Sequence, residues 1–274
     1  MKEKAKQFLL KIIGLYDRRL IQTDPVSFPH RYPDWHDREL VSFLAAEFAF
    51  GNAQSLMASI EKLLQILGPR PHQFLTEARE RQLDKIDHSG HRWIRGHHLI
   101  QLLKLLRSVY QGEGSLEKLF LKGYSQEDQA VGPALQYFTR SFLENPPQPP
   151  FFKGGSTKLS PPLAKGGKGG FGYFFPSPKT GSACKRLNMF LRWMIRPADG
   201  IDLGLWKGIA PSKLVIPLDT HLYQFARKFK ITRRKTPDWK MARETTDFLK
   251  ELAPEDPLKF DFAICHYGME RGWD

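Results

Sequence analysis

PLDTHLYQFARKF, residues 217–229, reads as the start of a helix: Leu222, Phe225, Ala226 and Phe229 return every three or four positions. Asp219 stands just before them, and aspartate is a good helix N-cap. A plain cap needs no special lead-in, yet Leu214, Val215, Ile216, Pro217 and Leu218 form an apolar, extended approach. Such an approach holds the carboxylate in one place. Asp219 is therefore a candidate catalytic group as well as a cap.

The same helical period runs outward from this stretch. Arg38 to Leu67 carries it, with Gly51-Asn52 interrupting the run. Leu99, Leu102, Leu103, Leu105, Leu106 and Tyr110 mark a further helix, and Ala134 to Leu143 another. Ala183, Leu187, Phe190, Leu191 and Met194 continue the pattern. Asp238 is predicted to cap a helix reaching Leu252, and Asp256-Pro257 to open the last one. Strong strand alternation is absent, so the predicted fold class is all-α.

With 274 residues, 41% of them hydrophobic, the chain can bury a sizeable core. A net charge of +13 points to a polyanionic partner, most simply DNA or RNA. Cys184 and Cys265 are far apart and form no CxxC pair, which excludes a zinc finger and a four-cysteine iron–sulfur loop. Two free thiols suit a reducing cytoplasm. The N-terminal MKEKAKQFLLKIIGLYDRR is too charged for a signal peptide or membrane span and reads as an amphipathic helix on the core.

Residues 145–172 break the pattern. They hold six prolines and seven glycines in 28 residues and repeat themselves, PPFFKGG at 149–155 and PPLAKGG at 161–167. That composition supports neither a helix nor a packed core. The segment reads as an inserted, disordered surface loop, with a basic DNA-tracking arm as the alternative, since it has four lysines and no acid. It separates an N-terminal helical part, 1–144, from a C-terminal part, 173–274.

Just beyond it, residues 176–196 read PSPKTGSACKRLNMFLRWMIR, a turn leading into a basic amphipathic helix. Backbone N–H groups at such a helix start suit a phosphate, and Lys179, Thr180, Gly181, Ser182, Arg186 and Arg192 are the predicted DNA contacts, with Lys185 and Arg196 adding positive charge nearby. Lys185 falls in the first turn. An apolar helix face and the positive end of a helix dipole both favour the uncharged amine, the nucleophilic form of lysine. Lys185 and Asp219 are 34 residues apart, and the intervening loop and extended LVIPL can return one to the other.

At these two elements, GSACKR and PLDTH, the chain resembles the helix-hairpin-helix DNA glycosylases, nearest the archaeal-type 8-oxoguanine branch. Those enzymes place a lysine on the helix after a turn and an aspartate at the head of a second helix. From DPVSFPHR through FLAAEFAFGN to KGIAPSKLVIPLDTH, the chain also looks like a conserved bacterial family of unassigned function. The glycosylase resemblance covers about residues 176–229. It implies a two-lobed helical bundle with a helix-hairpin-helix element, and a monomer acting on double-stranded DNA without cofactor or metal. It also implies a bifunctional glycosylase and AP lyase, with oxidised purine as the substrate. Lys185 would attack C1′ of the damaged nucleoside and form a Schiff base; Asp219 would stabilise the cationic sugar. The hairpin of the family has two glycines, whereas here only Gly181 is clear. Such enzymes flip the target base out of the duplex. Asn52 and Gln54, at the helix break, are a candidate wedge or an ordinary kink. Trp93, with Phe174, Phe175 and Trp193, is a candidate stacking surface or simply core.

Other readings stay open at this stage. A non-catalytic DNA- or RNA-binding protein would keep the basic helices without the chemistry. His36-Asp37 with His30 and Asp84 suggests a metal-dependent HD-type phosphohydrolase. His88, His91, His97 and His98 with Asp84 and Asp87 offer a second metal-ligand cluster, and Cys184 a thiol at a helix start.

Overall fold

The computed structural model describes residues 1–83, 85, 86, 89–144 and 171–273. The inserted segment, except for Phe171 and Gly172, lies outside the described residues, as do Asp84, Asp87 and His88. Among the described residues the protein is all-α. Strand pairing there is limited to two isolated bridges, His91–Ile94 and Ser182–Asp238. No described helix is long and apolar enough to cross a membrane.

The chain forms two compact units, each assembled from separate stretches. One contains Met1–Ser27, Gln126–Gly132 and Ser177–Asp274; the other contains Phe28–Ser125 and Pro133–Pro176. The first unit begins with α1 (Lys2–Ile12), which buries Ala5, Leu9 and Ile12 and exposes its lysine-rich face.

The second unit is organised around α2 (Trp35–Phe48). Asp34 caps it, accepting from the backbone of His36 and Asp37. Nearly every side chain from Asp37 to Phe48 is buried, as expected of a helix surrounded by others. Buried Glu39 is accommodated because its carboxylate caps α7 (Leu116–Leu121), accepting from the N–H groups of Leu116 at 2.9 Å and Glu117 at 3.2 Å. The helix break foreseen at Gly51-Asn52 is real: Asn52 caps α3 (Ala53–Leu67) by accepting from Ser55 N–H at 3.1 Å. The short helices α4 (Pro71–Glu77) and α5 (Glu80–Leu83), then α6 (Gly96–Gly112) and α8 (Gly132–Leu143), complete the unit. Phe43, Phe120, Phe138, Phe142 and Phe175 fill its centre, with Phe142 and Phe175 stacked 4.2 Å apart.

Four helices complete the first unit: α9 (Lys185–Ile195), α10 (Thr220–Lys228), α11 (Trp239–Lys250) and α12 (Asp261–Arg271). The loop after α9 folds back over its C-terminus. Leu203 and Gly204 N–H groups reach the Trp193 carbonyl, and Trp206 N–H reaches that of Met194. Gly204 has φ +60°, and a Cβ there would lie 2.8 Å from the backbone of Ala198 and Arg196, so glycine is required. Asp256 departs from expectation. It makes no cap hydrogen bond; its carboxylate binds Arg196, and a short 3₁₀ turn, Pro257–Phe260, precedes α12.

Candidate active site

The turn predicted to meet phosphate is built from local hydrogen bonds. Ser177 Oγ accepts from Lys179 N–H, Thr180 Oγ1 donates to the Ser177 carbonyl, and Gly181 closes the turn at φ +81°. The Gly181 carbonyl accepts from Trp239 N–H at 3.0 Å, which ties the turn to the start of α11. Lys179, Thr180 and Gly181 are exposed and Ser182 is half-buried. Cys184 then adopts a left-handed conformation, φ +50°, at the head of α9. That is an uncommon state for a residue with a side chain. Its thiol is buried against the Ser182 carbonyl at 3.3 Å, so Cys184 is part of the turn's framework rather than an exposed reactive thiol.

Two predicted phosphate contacts are corrected. Arg186 and Arg192 are 8% and 4% exposed. Arg192 Nε lies 3.3 Å from Asp202, and its Nη1 binds Asp261. Arg196, one turn later, grips Asp256 with two hydrogen bonds of 2.8 and 2.9 Å and also reaches Asp199 and Asp202. Burial alone would lower the pKa of Arg192, but Asp202 and then Asp261 reverse the effect and hold it charged. A guanidinium enclosed by carboxylates in the interior does not reach a duplex backbone. It anchors α9 to α12 and to the loop after α9.

The apolar approach to Asp219 is buried from Leu214 to Leu218, and Ile216 N–H donates to Thr246 Oγ1 of α11 at 2.9 Å. Asp219 is an N-cap, as predicted: one oxygen accepts from Leu222 N–H at 2.8 Å. The other oxygen faces α12 and accepts from the thiol of Cys265 at 3.4 Å. Asp261, one turn earlier on the same face of α12, lies 3.9 Å from that thiol. Gly268 permits the approach of α10: a Cβ there would stand 2.6 Å from His221 Nδ1 and 2.2 Å from Trp273 Nε1.

Two carboxylates therefore converge on one thiol. Burial, then the charges of Asp219 and Asp261, push the Cys265 thiol well above its usual range, while the cations of Arg192 and Lys185 pull the other way. Lys185 is half-buried in the first turn of α9. Burial raises the Asp261 carboxyl to about 6; Arg192 opposes the rise and Asp219 adds to it. His266, next on α12, turns instead toward Tyr16 and Phe262, and burial lowers its pKa. Sequence reasoning missed Cys265 and Asp261. Their spacing of four along a helix was the available signal, but which helix face is buried against Asp219 was not.

The remaining candidates lie in the other unit. Asn52 and Gln54 are exposed, and Asn52 is engaged as the α3 cap. Trp93 is half-buried, stacked 4.7 Å from Phe50 and edge-on to Tyr173, with the Arg92 guanidinium 4.8 Å above it. Phe174 and Phe175 are core, and so is Trp193, which lies in α9 of the first unit. His36 stacks between Trp35 and His72, and Asp37 accepts from His72 N–H at 2.7 Å, capping α4. His91 bonds Ser59 and the Phe50 carbonyl. Among the described residues no three His, Cys, Asp or Glu side chains gather as metal ligands. The chain matches no curated protein and no solved structure. A family model described as a protein of unknown function, DUF2400, matches residues 24–270, nearly the whole chain, and the chain belongs to that family.

Proposed function

We propose that the protein is a DNA glycosylase and AP lyase of the helix-hairpin-helix type, acting through a Schiff base on Lys185. The observation that supports this reading is Asp219, fixed at the head of α10 with its second oxygen toward α12, in the same compact unit as Lys185, which opens α9. In the proposed reaction the Lys185 amine attacks C1′ of the damaged nucleoside as the glycosidic C–N bond breaks, and the base leaves with a proton. Ring opening yields the Schiff base, and loss of a C2′ proton expels the 3′ phosphate. Asp219 has one oxygen committed to its helix and a second held toward Cys265, so its carboxylate is fixed before substrate arrives. A fixed negative charge favours the cationic sugar that develops as the base departs. The exposed turn Lys179–Gly181 is the proposed hairpin contact with the duplex. Oxidised purine is the proposed substrate class.

The test is borohydride trapping in EDTA with duplexes carrying 8-oxoguanine, uracil or an abasic site. The expected result is a covalent adduct that disappears in Lys185→Gln. Salt-sensitive duplex binding with no adduct on any substrate replaces this reading with a non-catalytic DNA-binding protein.

A further inference from the structure

We propose that the basic loop between α10 and α11 is a second contact for the phosphate backbone of double-stranded DNA, continuous with the turn at 179–182. The proposal rests on the reading of duplex DNA as the partner. Residues 227–240 hold seven lysines and arginines, RKFKITRRKTPDWK with Lys230 among them, against one acid, Asp238. A run of charge by itself is ordinarily a solvated face, so the architecture around it decides.

That architecture fixes the loop. Arg227 Nη1 donates to the carbonyls of Arg233 and Arg234, and Tyr223 Oη donates to that of Lys235 at 3.1 Å. Thr232 Oγ1 binds Glu244 and accepts from Arg234 N–H at 3.0 Å. The Arg234 guanidinium turns back onto Asp238, with Nε 2.9 and 3.1 Å from its two oxygens. The two nearby acids are thus occupied within the loop. Arg233 and Lys235, on either side of Arg234, are left exposed, as are Lys230 and Lys240.

Solubility needs charge but not a backbone held by this many side chains. A phosphate contact does, because ordering a loop on binding costs conformational entropy that a fixed loop does not lose. The position agrees. Trp239 N–H donates to the Gly181 carbonyl and Ser182 pairs with Asp238, so the end of this loop is hydrogen-bonded to the turn that carries Lys179. The buried Arg186 and Arg192 leave the exposed phosphate-binding charge to these residues. Such contacts position a duplex without reading its sequence.

The experiment measures binding of a fluorescent abasic-site duplex as a function of salt. Removing two phosphate contacts in Arg233→Gln/Lys235→Gln should reduce the slope of log affinity against log salt by about 2, with roughly tenfold weaker binding near physiological salt. Lys4→Gln/Lys11→Gln removes the same charge from the exposed face of α1 and should leave the slope unchanged. Equal effects from both pairs would reduce the loop to a share of net charge and overturn the proposal. An unchanged slope in the loop variant, with wild-type binding still steep, overturns the proposal and leaves the proposed function standing. Absence of salt-dependent duplex binding by the wild-type chain overturns both.

Discussion

Asp219 and Asp238 open successive helices in the same way and then diverge. Each accepts a backbone N–H with one oxygen, from Leu222 at 2.8 Å and from Met241 at 2.9 Å. The remaining carboxylate capacity of Asp238 goes to Arg234, which holds its carboxyl below the usual range. That of Asp219 goes to a thiol, with a second carboxylate, Asp261, 3.9 Å from the same sulfur. One surrounding pairs the carboxylate with a cation and the other sets it against a buried thiol. Local capping chemistry is identical, so the difference comes wholly from what α12 and the basic loop bring alongside. Titratable groups crowded together beneath a helix head are where function is sought.

The comparison is broken most directly by replacing each aspartate with asparagine, which caps a helix about as well. Asp219→Asn should slow adduct formation by roughly 10²–10⁴-fold, the usual contribution of a positioned acid–base group. Its stability should hold or rise slightly, since the charge facing Asp261 is gone. Asp238→Asn should instead lower stability by at most about 1 kcal/mol, the worth of a partly exposed pair. Urea midpoints and trapping rates on both variants decide the matter. An unchanged trapping rate in Asp219→Asn would mean that Asp219 acts only as a cap.

A second contrast sets the interior arginine against the surface ones. Arg192→Leu leaves Asp202 and Asp261 buried without their partner and should cost about 3–5 kcal/mol in denaturant unfolding. Arg233→Gln, at an exposed site, should stay within about 0.5 kcal/mol. A small loss at Arg192 would show that the carboxylates around it are already protonated.

A third comparison concerns pH. The Asp261 carboxyl is raised to about 6 in the folded protein, chiefly by burial. Its unfolded value is near ~4. The folded state therefore holds a proton that the unfolded chain releases. The associated stability is complete below about pH 4 and is lost as pH rises through about 6, a change on the order of 2–3 kcal/mol. Unfolding free energies measured across that window should fall for the wild type relative to Asp261→Asn. Parallel curves would place the proton elsewhere.

Much of the helical framework was legible beforehand. The spacing of Leu222, Phe225 and Ala226 marked α10, and all three are buried. The interruption at Gly51-Asn52 marked the start of α3, and Asp238 the start of α11. Asp256 followed by proline looked like an equally good cap, but its carboxylate lies with Arg196, sixty residues away in sequence. The candidate site was half legible. Lys185 and Asp219 stood out; Cys265 and Asp261 did not, and Arg192 was read as a surface cation.

The amino-acid sequence by itself determined the all-α class and several helix starts, among them those capped by Asp219 and Asp238. These depend on periodicity and on hydrogen bonds spanning three or four residues, which are short-range and visible in a linear string. Only the tertiary structure decided which charges face water and which face each other. A guanidinium reads the same in sequence whether it will be enclosed by Asp202 and Asp261 or exposed beside the turn at Gly181. Burial and the partner supplied by a distant helix set the difference, because desolvation and pairing depend on neighbours in space rather than along the chain.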